Sequence, residues 1–236
     1  VSKKLEADSL SMSKLLDSTE FVQAYGFTPA NVYTLFIPNS YEFYWNTDAK
    51  TFFTKMFENY EQFWYEERLA KAKKLNLSPK EVSVLASIVD SEALVDREMP
   101  IIAGLYLNRL QRGIKLEADP TVIFANKDFS IRRVLNKHLR KESPYNTYIH
   151  TGLPPGPITM PSIAAIDAVL NAKNHDYIYM CAKEDFSGYH NFTKSWSEHK
   201  RNAKRFQKAL TNNKDLCLCY FFPEFLFQLF TVSYFL

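Results

Sequence analysis

The feature that most constrains this chain is the run Leu77-Ser78-Pro79-Lys80-Glu81. Ser78 can cap a helix, Pro79 suits a first helical position where no N–H is needed, and Glu81 stands where a capping box wants its carboxylate. A helix therefore starts here, and it divides the chain. Val82, Leu85, Ala86 and Val89 give that helix an apolar stripe, and Glu92 falls three residues after Val89, near the buried face. A carboxylate held there loses solvation, which lifts its pKa toward the range of a general acid. The plainer alternative is a helix-terminal Glu that faces water.

Around this helix the pattern alternates. Residues 1 to about 77 read as a small mixed region in which Leu35 to Tyr44, bulky and bounded by Pro38 and Asn39, is a strand or extended segment. Phe52, Met56, Tyr60, Phe63 and Trp64 recur at helical spacing and predict one long amphipathic helix from Asp48 to about Leu75. Pro100 opens a second helix closed by Gly113. From Ile114 to Pro161 the sequence is irregular and dense in Pro and Gly, a composition that commonly builds a site. Ser162 starts another helix, Tyr177 to Cys181 reads as a strand, Ser187-Gly188 as a turn, and Ser195 begins a basic helix to about residue 211. Helices joined to a few antiparallel strands predict an α+β fold. With 46% hydrophobic and 23% charged residues the chain can bury a core. Its net charge of +3 argues against a nucleic-acid partner.

Other groups are weighed against Glu92. Asp90 projects to a different face, and Asp96 and Glu98 read as helix-start residues. Asp119-Pro120-Thr121 is a turn opener, or a fixed Asp and Thr that hydrogen-bond a polar ligand. Tyr145-Asn146-Thr147-Tyr148 joins two aromatic faces to an amide and a hydroxyl, the mixture that recognises sugar rings, though aromatic packing around an Asn turn fits it equally. Gly152-Leu153-Pro154-Pro155-Gly156-Pro157 has too many prolines to cradle phosphate and reads as a rigid wall of a cleft. His190 is a proton carrier, a ligand or a core histidine. His199, among Lys200, Arg201, Lys204 and Arg205, reads as part of a solvated basic face. Cys181, Cys217 and Cys219 form no disulfide framework and no zinc pair. No metal or other cofactor is expected, and neither a serine-hydrolase elbow nor a metalloprotease helix is present.

Taken together and in this order, Leu85 to Glu92, Asn108-Arg109-Leu110, Asp119 to Ile123, Tyr145 to Tyr148, Gly152 to Ile158 and His190-Asn191-Phe192 closely resemble the endolytic murein transglycosylase family, also called YceG-like. The resemblance covers about residues 1 to 210. It implies the end of a LysM-like subdomain with a linking helix in residues 1–77, Pro38-Asn39-Ser40-Tyr41-Glu42-Phe43 standing for the family's Pro-Asp-Thr-Tyr-Glu-Phe. Residues 78–212 then form the catalytic domain, and 213–236 an atypical apolar tail. Carried over by position, the family's catalytic glutamate falls on Glu92, and its first acidic position on Asp90, which is taken as non-catalytic. Asn108, Asp119, Thr121, Tyr145, Asn146, Thr147, Tyr148, Leu153 and Pro154 are implied to line the sugar site, with His190 and Phe192 on its far side.

The resemblance further implies cleavage of the MurNAc–GlcNAc bond inside peptidoglycan glycan strands, leaving 1,6-anhydro ends. The family acts from a single N-terminal membrane anchor on the extracytoplasmic side, near cell-wall synthases. A single carboxylate suffices for this chemistry, because the acceptor is the sugar's own C6 hydroxyl and not a positioned water. Ala93 stands where the family usually has Thr, so a hydroxyl beside the catalytic Glu is missing. The start at Val1-Ser2, without Met or an anchor, is what a fragment or processed form would show. Leu216 to Leu236 is long enough to span a bilayer, roughly twenty residues being needed, yet Pro223 and Glu224 sit near its middle. A lysozyme-like hydrolase using Glu92 with Asp119, and a non-catalytic glycan-binding module, are the alternatives.

Overall fold

The computed structural model describes residues 7–132 and 134–212. The apolar tail, with Cys217 and Cys219, lies outside the described residues.

In chain order the helices of the front region are α1 (Ser9–Asp17), α2 (Thr19–Ala24), α3 (Ala49–Phe63) and α4 (Glu66–Lys74). A 3₁₀ turn, Val32–Leu35, lies between α2 and α3. The segment expected as a strand at Leu35 to Tyr44 leaves that turn and runs on without joining a ladder. Its prolines and aromatics are used for packing: Phe36 and Phe43 lie against Phe52 of α3.

The single long helix expected from Asp48 to Leu75 is two helices. Asp48 caps α3 by accepting from the Thr51 amide at 2.7 Å, but at Trp64 the backbone leaves the helical region and Tyr65 is extended. A long-range contact fixes the break. Arg68 donates to the Phe63 carbonyl, one of the orphan acceptors that end α3, and forks onto Asp167 at 3.0–3.1 Å. Its guanidinium also lies 3.9 Å from the centre of the Phe63 ring.

The remainder is built on α5 (Pro79–Glu92), α6 (Met99–Gln111), α7 (Asp119–Asn126), α8 (Asn136–Leu139), α9 (Ile163–Leu170) and α10 (Trp196–Asn212). The capping box is formed in full: the Glu81 amide donates to Ser78 Oγ, and the Ser78 amide donates to the Glu81 carboxylate at 2.8 Å. The one sheet of the described residues is an antiparallel pair, β1 (Tyr179–Ala182) with β2 (His190–Thr193), in which Tyr179 faces Thr193 and Ala182 faces His190. Gly188, at φ +80°, makes the turn between them. Helices with a small antiparallel sheet are the α+β class that the sequence predicts. Asp119-Pro120-Thr121, read as a turn, instead opens α7, because Pro120 fits a first turn that has no use for its missing N–H.

α5 lies at the centre and packs against α6, α7 and α9. Its stripe Val82, Leu85, Ala86 and Val89 is buried in one apolar cluster that runs from Val22 in the front region to Met180 on β1. The front and back regions therefore share a core. A smaller cluster, Cys181, Ala182, Ala203 and Phe206, joins α10 to the sheet.

Candidate active site

Glu92 is the last residue of α5 and only 1% exposed. Tyr106, one side of α6, donates its hydroxyl to Glu92 Oε1 at 3.1 Å. Asp119, the first residue of α7, stands opposite, and Tyr148 donates its hydroxyl to Asp119 Oδ1 at 2.6 Å. Two carboxyl groups are thus enclosed together, each held by one tyrosine.

Burial pushes the Glu92 carboxyl up to about 8, the charge of Asp119 adds to the rise, and the Tyr106 hydroxyl and the Asp119 amide offset part of it. Asp119 is pushed up to about 7 by burial, against the Tyr148 hydrogen bond. The helix ends act in the same direction as these causes. Glu92 sits at the negative end of the α5 dipole and Asp119 at the positive end of α7, which favours the shared proton on Glu92 over Asp119. Burial and the neighbouring Glu92 both raise Tyr106, which stays a donor.

The loop read as a sugar platform is stitched onto α7. Thr147 Oγ1 accepts from the Ala118 amide at 3.0 Å, at a helix start whose own Ala118 has no side-chain cap, and meets Thr121 Oγ1 at 2.8 Å. Asn146 donates to the carbonyls of Leu139 and Lys141 and accepts from the Tyr148 amide. Thr121, Asn146 and Thr147 are buried. Expected at the sugar, these three have polar atoms that fix the loop carrying Tyr148. Asn108, half-buried, donates its amide to the carbonyls of His175 and Tyr177 at 2.6 and 3.0 Å ahead of β1. Tyr145 and Tyr148 remain half-exposed, Tyr145 resting on Phe124 at 4.6 Å between ring centres. Leu153 packs on the core and Pro154 is buried.

His190 does not join the carboxyl pair. Its amide and Nδ1 both engage Glu98, at 3.0 and 2.8 Å, in a buried hydrogen-bonded pair that clamps β2 to the 3₁₀ turn Asp96–Glu98. Phe192 lies against the His190 and Tyr177 rings. Glu98, set aside as a helix-start residue, is therefore the partner that sequence reasoning missed, and its partner lies ninety-two residues away. His199 is also misread: it is buried, not solvated, because it shares a stripe with Asn202, Ala203 and Phe206 at i, i+3, i+4 and i+7. That spacing was available in the sequence. Arg109 was seen only as a motif residue, yet it ties α6 to the Lys115 and Ile178 carbonyls and pairs with Glu117.

Asp90 points away from the pair, as expected, and accepts from the amide and hydroxyl of Ser162 at 3.0 and 2.9 Å. Ser87 accepts from the Ile158 amide, which fastens the Gly-Pro wall to α5. Among the described residues no group of three His, Cys, Asp or Glu side chains could hold a metal ion.

The family profile described as YceG-like matches residues 2–205. An endolytic murein transglycosylase of Bacillus subtilis is 36% identical over 146 residues, which are 61% of this chain and 39% of that protein. One of Streptococcus pneumoniae is 30% identical over 135 residues, 56% of this chain and 24% of that protein. The chain thus spans between a quarter and two fifths of the length of these curated relatives. The 2.6 Å crystal structure of a yceG-like protein from Listeria monocytogenes superposes with a TM-score of 0.68 at 28% identity, covering 83% of this chain and 68% of that one. On the strength of a profile that runs through nearly its whole described length, the chain belongs to the YceG-like family.

Proposed function

We propose that this chain carries the catalytic part of an endolytic murein transglycosylase that cleaves the MurNAc–GlcNAc bond within glycan strands and leaves 1,6-anhydro-MurNAc ends. The observation that carries the reading is Glu92: enclosed, paired with Asp119, held by Tyr106, and protonated near neutral pH. The printed names of the Bacillus and Streptococcus relatives support the substrate class.

In this mechanism the Glu92 carboxyl gives its proton to the glycosidic oxygen as the C1–O bond breaks. The Glu92 carboxylate then takes the proton of the C6 hydroxyl as that oxygen bonds to C1. Proton and electron pairs balance, and no water enters. Asp119 keeps the pair at one negative charge, which raises Glu92 into the range where an acid is loaded at neutral pH. The intramolecular acceptor lets orientation supply several kcal/mol of the barrier, on the order of the gain known for well-aligned internal attack.

A two-carboxylate hydrolase is the second reading, favoured by the nearness of Asp119 to Glu92. A glycan-binding module without turnover is the third, with Ala93 after Glu92 in its favour. The LysM-like reading of the front region rests on Pro38 to Phe43, and the membrane anchor and synthase partners rest on the family likeness. No helix among the described residues is long and apolar enough to cross a membrane.

Mass analysis of products from purified peptidoglycan separates the readings. The proposal requires anhydro ends, one water lighter than reducing ends, and their loss in Glu92→Gln. Reducing ends in wild type point to the hydrolase, and unchanged release by Glu92→Gln removes Glu92 from the chemistry.

A further inference from the structure

Each carboxyl of the pair is held by a tyrosine, and the two bonds are not alike. Tyr148 donates to Asp119 Oδ1 at 2.6 Å, whereas Tyr106 donates to Glu92 Oε1 at 3.1 Å. A hydroxyl bound to an ionised carboxylate sits at roughly 2.5–2.7 Å, and one bound to a neutral acceptor lies at about 2.7–2.8 Å or beyond. The two lengths therefore match a charged Asp119 and a protonated Glu92. Exposure separates the tyrosines from the acids: Glu92 is 1% and Asp119 4% exposed, while Tyr148 is half-exposed. A side chain in contact with solvent thus touches the buried pair directly.

Tyr148 is held in place by its own loop. Its amide donates to Asn146 Oδ1 at 3.0 Å, an Asx turn, and its carbonyl accepts from Lys115 Nζ at 3.0 Å. The Glu117 amide donates to the Thr147 carbonyl at 3.2 Å and the Ala118 amide to Thr147 Oγ1 at 3.0 Å. These last donors are the two residues ahead of Asp119, so Tyr148 and Asp119 are mounted on one frame. Glu117 has φ +53°, a strained backbone that its surroundings must enforce. The other ionisable groups near the two tyrosines are Arg109 of α6, paired with Glu117, then Tyr179 of β1 and His199 of α10. The helices packed on α5 and α7 add Asp167, engaged by Arg68, and His138, whose Nδ1 accepts from the Leu135 amide.

We propose that Tyr148 is the positioning residue of the acid: by donating to Asp119 it holds the negative charge there and leaves the shared proton on Glu92. The inference rests on the reading of Glu92 as the acid and adds the group that keeps it loaded. A hydroxyl that donates to a carboxylate stabilises the ionised form. Burial lifts Asp119 to about 7 against that hydrogen bond, so its loss lets Asp119 compete with Glu92 for the proton. Two carboxyls that share one proton titrate as a pair. A firmer hold by Asp119 raises the pH at which the pair loses its proton, and at the same time lowers the fraction of that proton on Glu92. The signature is a lower rate with a later alkaline decline. A tyrosine that merely packs the loop would lower the rate and leave the decline in place.

The test is Tyr148→Phe, which keeps the ring and removes the hydroxyl, read in two ways. One is the rate of anhydro-end release at saturating peptidoglycan as a function of pH. The other is the titration of the Glu92 and Asp119 side-chain carboxyls followed by carbon-13 NMR, which needs no turnover. The plateau rate should fall several-fold and the alkaline limb should move up by about half a pH unit, the scale of one hydrogen bond to a charged acceptor. The Asp119 carboxyl should keep its proton to higher pH than in wild type. Asp119→Asn should move the limb the other way, and adding Tyr148→Phe to it should move the limb no further, because no charge is left to hold. A limb and an Asp119 titration that stay in place in Tyr148→Phe, or an equal upward shift in the Asp119→Asn background, overturn the proposal. The two readouts fail separately: the expected titrations in a wild type that releases no anhydro ends sink the catalytic reading alone, and anhydro release with unmoved titrations sinks the role of Tyr148 alone.

Discussion

At residue 92 a carboxyl does what carboxyls avoid: it is buried at the negative end of a helix with another acid beside it. The consequence for stability has a definite sign. In the folded protein Glu92 holds its proton up to about pH 8, while in the unfolded chain it releases it near 4.5. The folded state therefore binds the extra proton between those values, and stability is full below the lower one and falls as pH rises toward the upper one. Glu92→Gln removes this burden. The variant should melt near the wild-type temperature at about pH 4.5 and several degrees above it at about pH 8, a difference on the order of a few kcal/mol. Equal melting at both pH values would mean that the carboxyl is solvated. Activity should follow the same proton, declining above about pH 8 as the acid empties. Asp119→Asn should shift that alkaline limb to lower pH, because the charge of Asp119 is one of the two causes that raise Glu92. A limb that stays in place would assign it to some other group.

At the scale of elements, α5 organises its neighbours through three positions with different partners. Ser87 holds the Gly-Pro wall, Asp90 clips the start of α9, and Glu92 enters the site. The Asp90 clip is testable by itself. Asp90→Ala strips two hydrogen bonds from Ser162, the residue that caps α9, and should cost about 1–3 kcal/mol, with faster amide exchange confined to the first turn of α9. Uniformly faster exchange would show that Asp90 serves the whole fold instead. Elements whose causes are local were legible in the sequence: the Ser78 box, the Ser162 cap and the Ser187-Gly188 turn all depend on residues within a few positions. Elements whose causes are distant were not. The break between α3 and α4 is set by Arg68 reaching Asp167, and β2 is anchored by Glu98 reaching His190. α7 was hidden for another reason: its helix start is capped by Thr147, far along the chain, and not by its own Ala118. The burial of Glu92 followed from helical spacing, whereas its pairing with Asp119 did not, since no local pattern joins the end of one helix to the start of another.

For the whole molecule, the front region and the wall of the site meet backbone to backbone at Gly156. A Cβ added there would land inside the Ala30 carbonyl, 2.7 Å from its carbon and 3.0 Å from the Tyr145 hydroxyl. Neither the Ala30 backbone nor the proline-flanked loop can yield as a flexible side chain would. The wall that the prolines stiffen is thus pressed onto the front region, and the two must be built together. Gly156→Ala should lower stability by about 1–3 kcal/mol or more, the usual cost of forcing extra volume into a filled space. Because Tyr145 and Ala30 meet the same added methyl, the damage should reach the groove: product release should fall by more than the lost folded fraction explains, measured on samples cooled until fully folded. A variant of normal stability and normal turnover would show that the loop has room to move, and that the front region only covers the wall without shaping it.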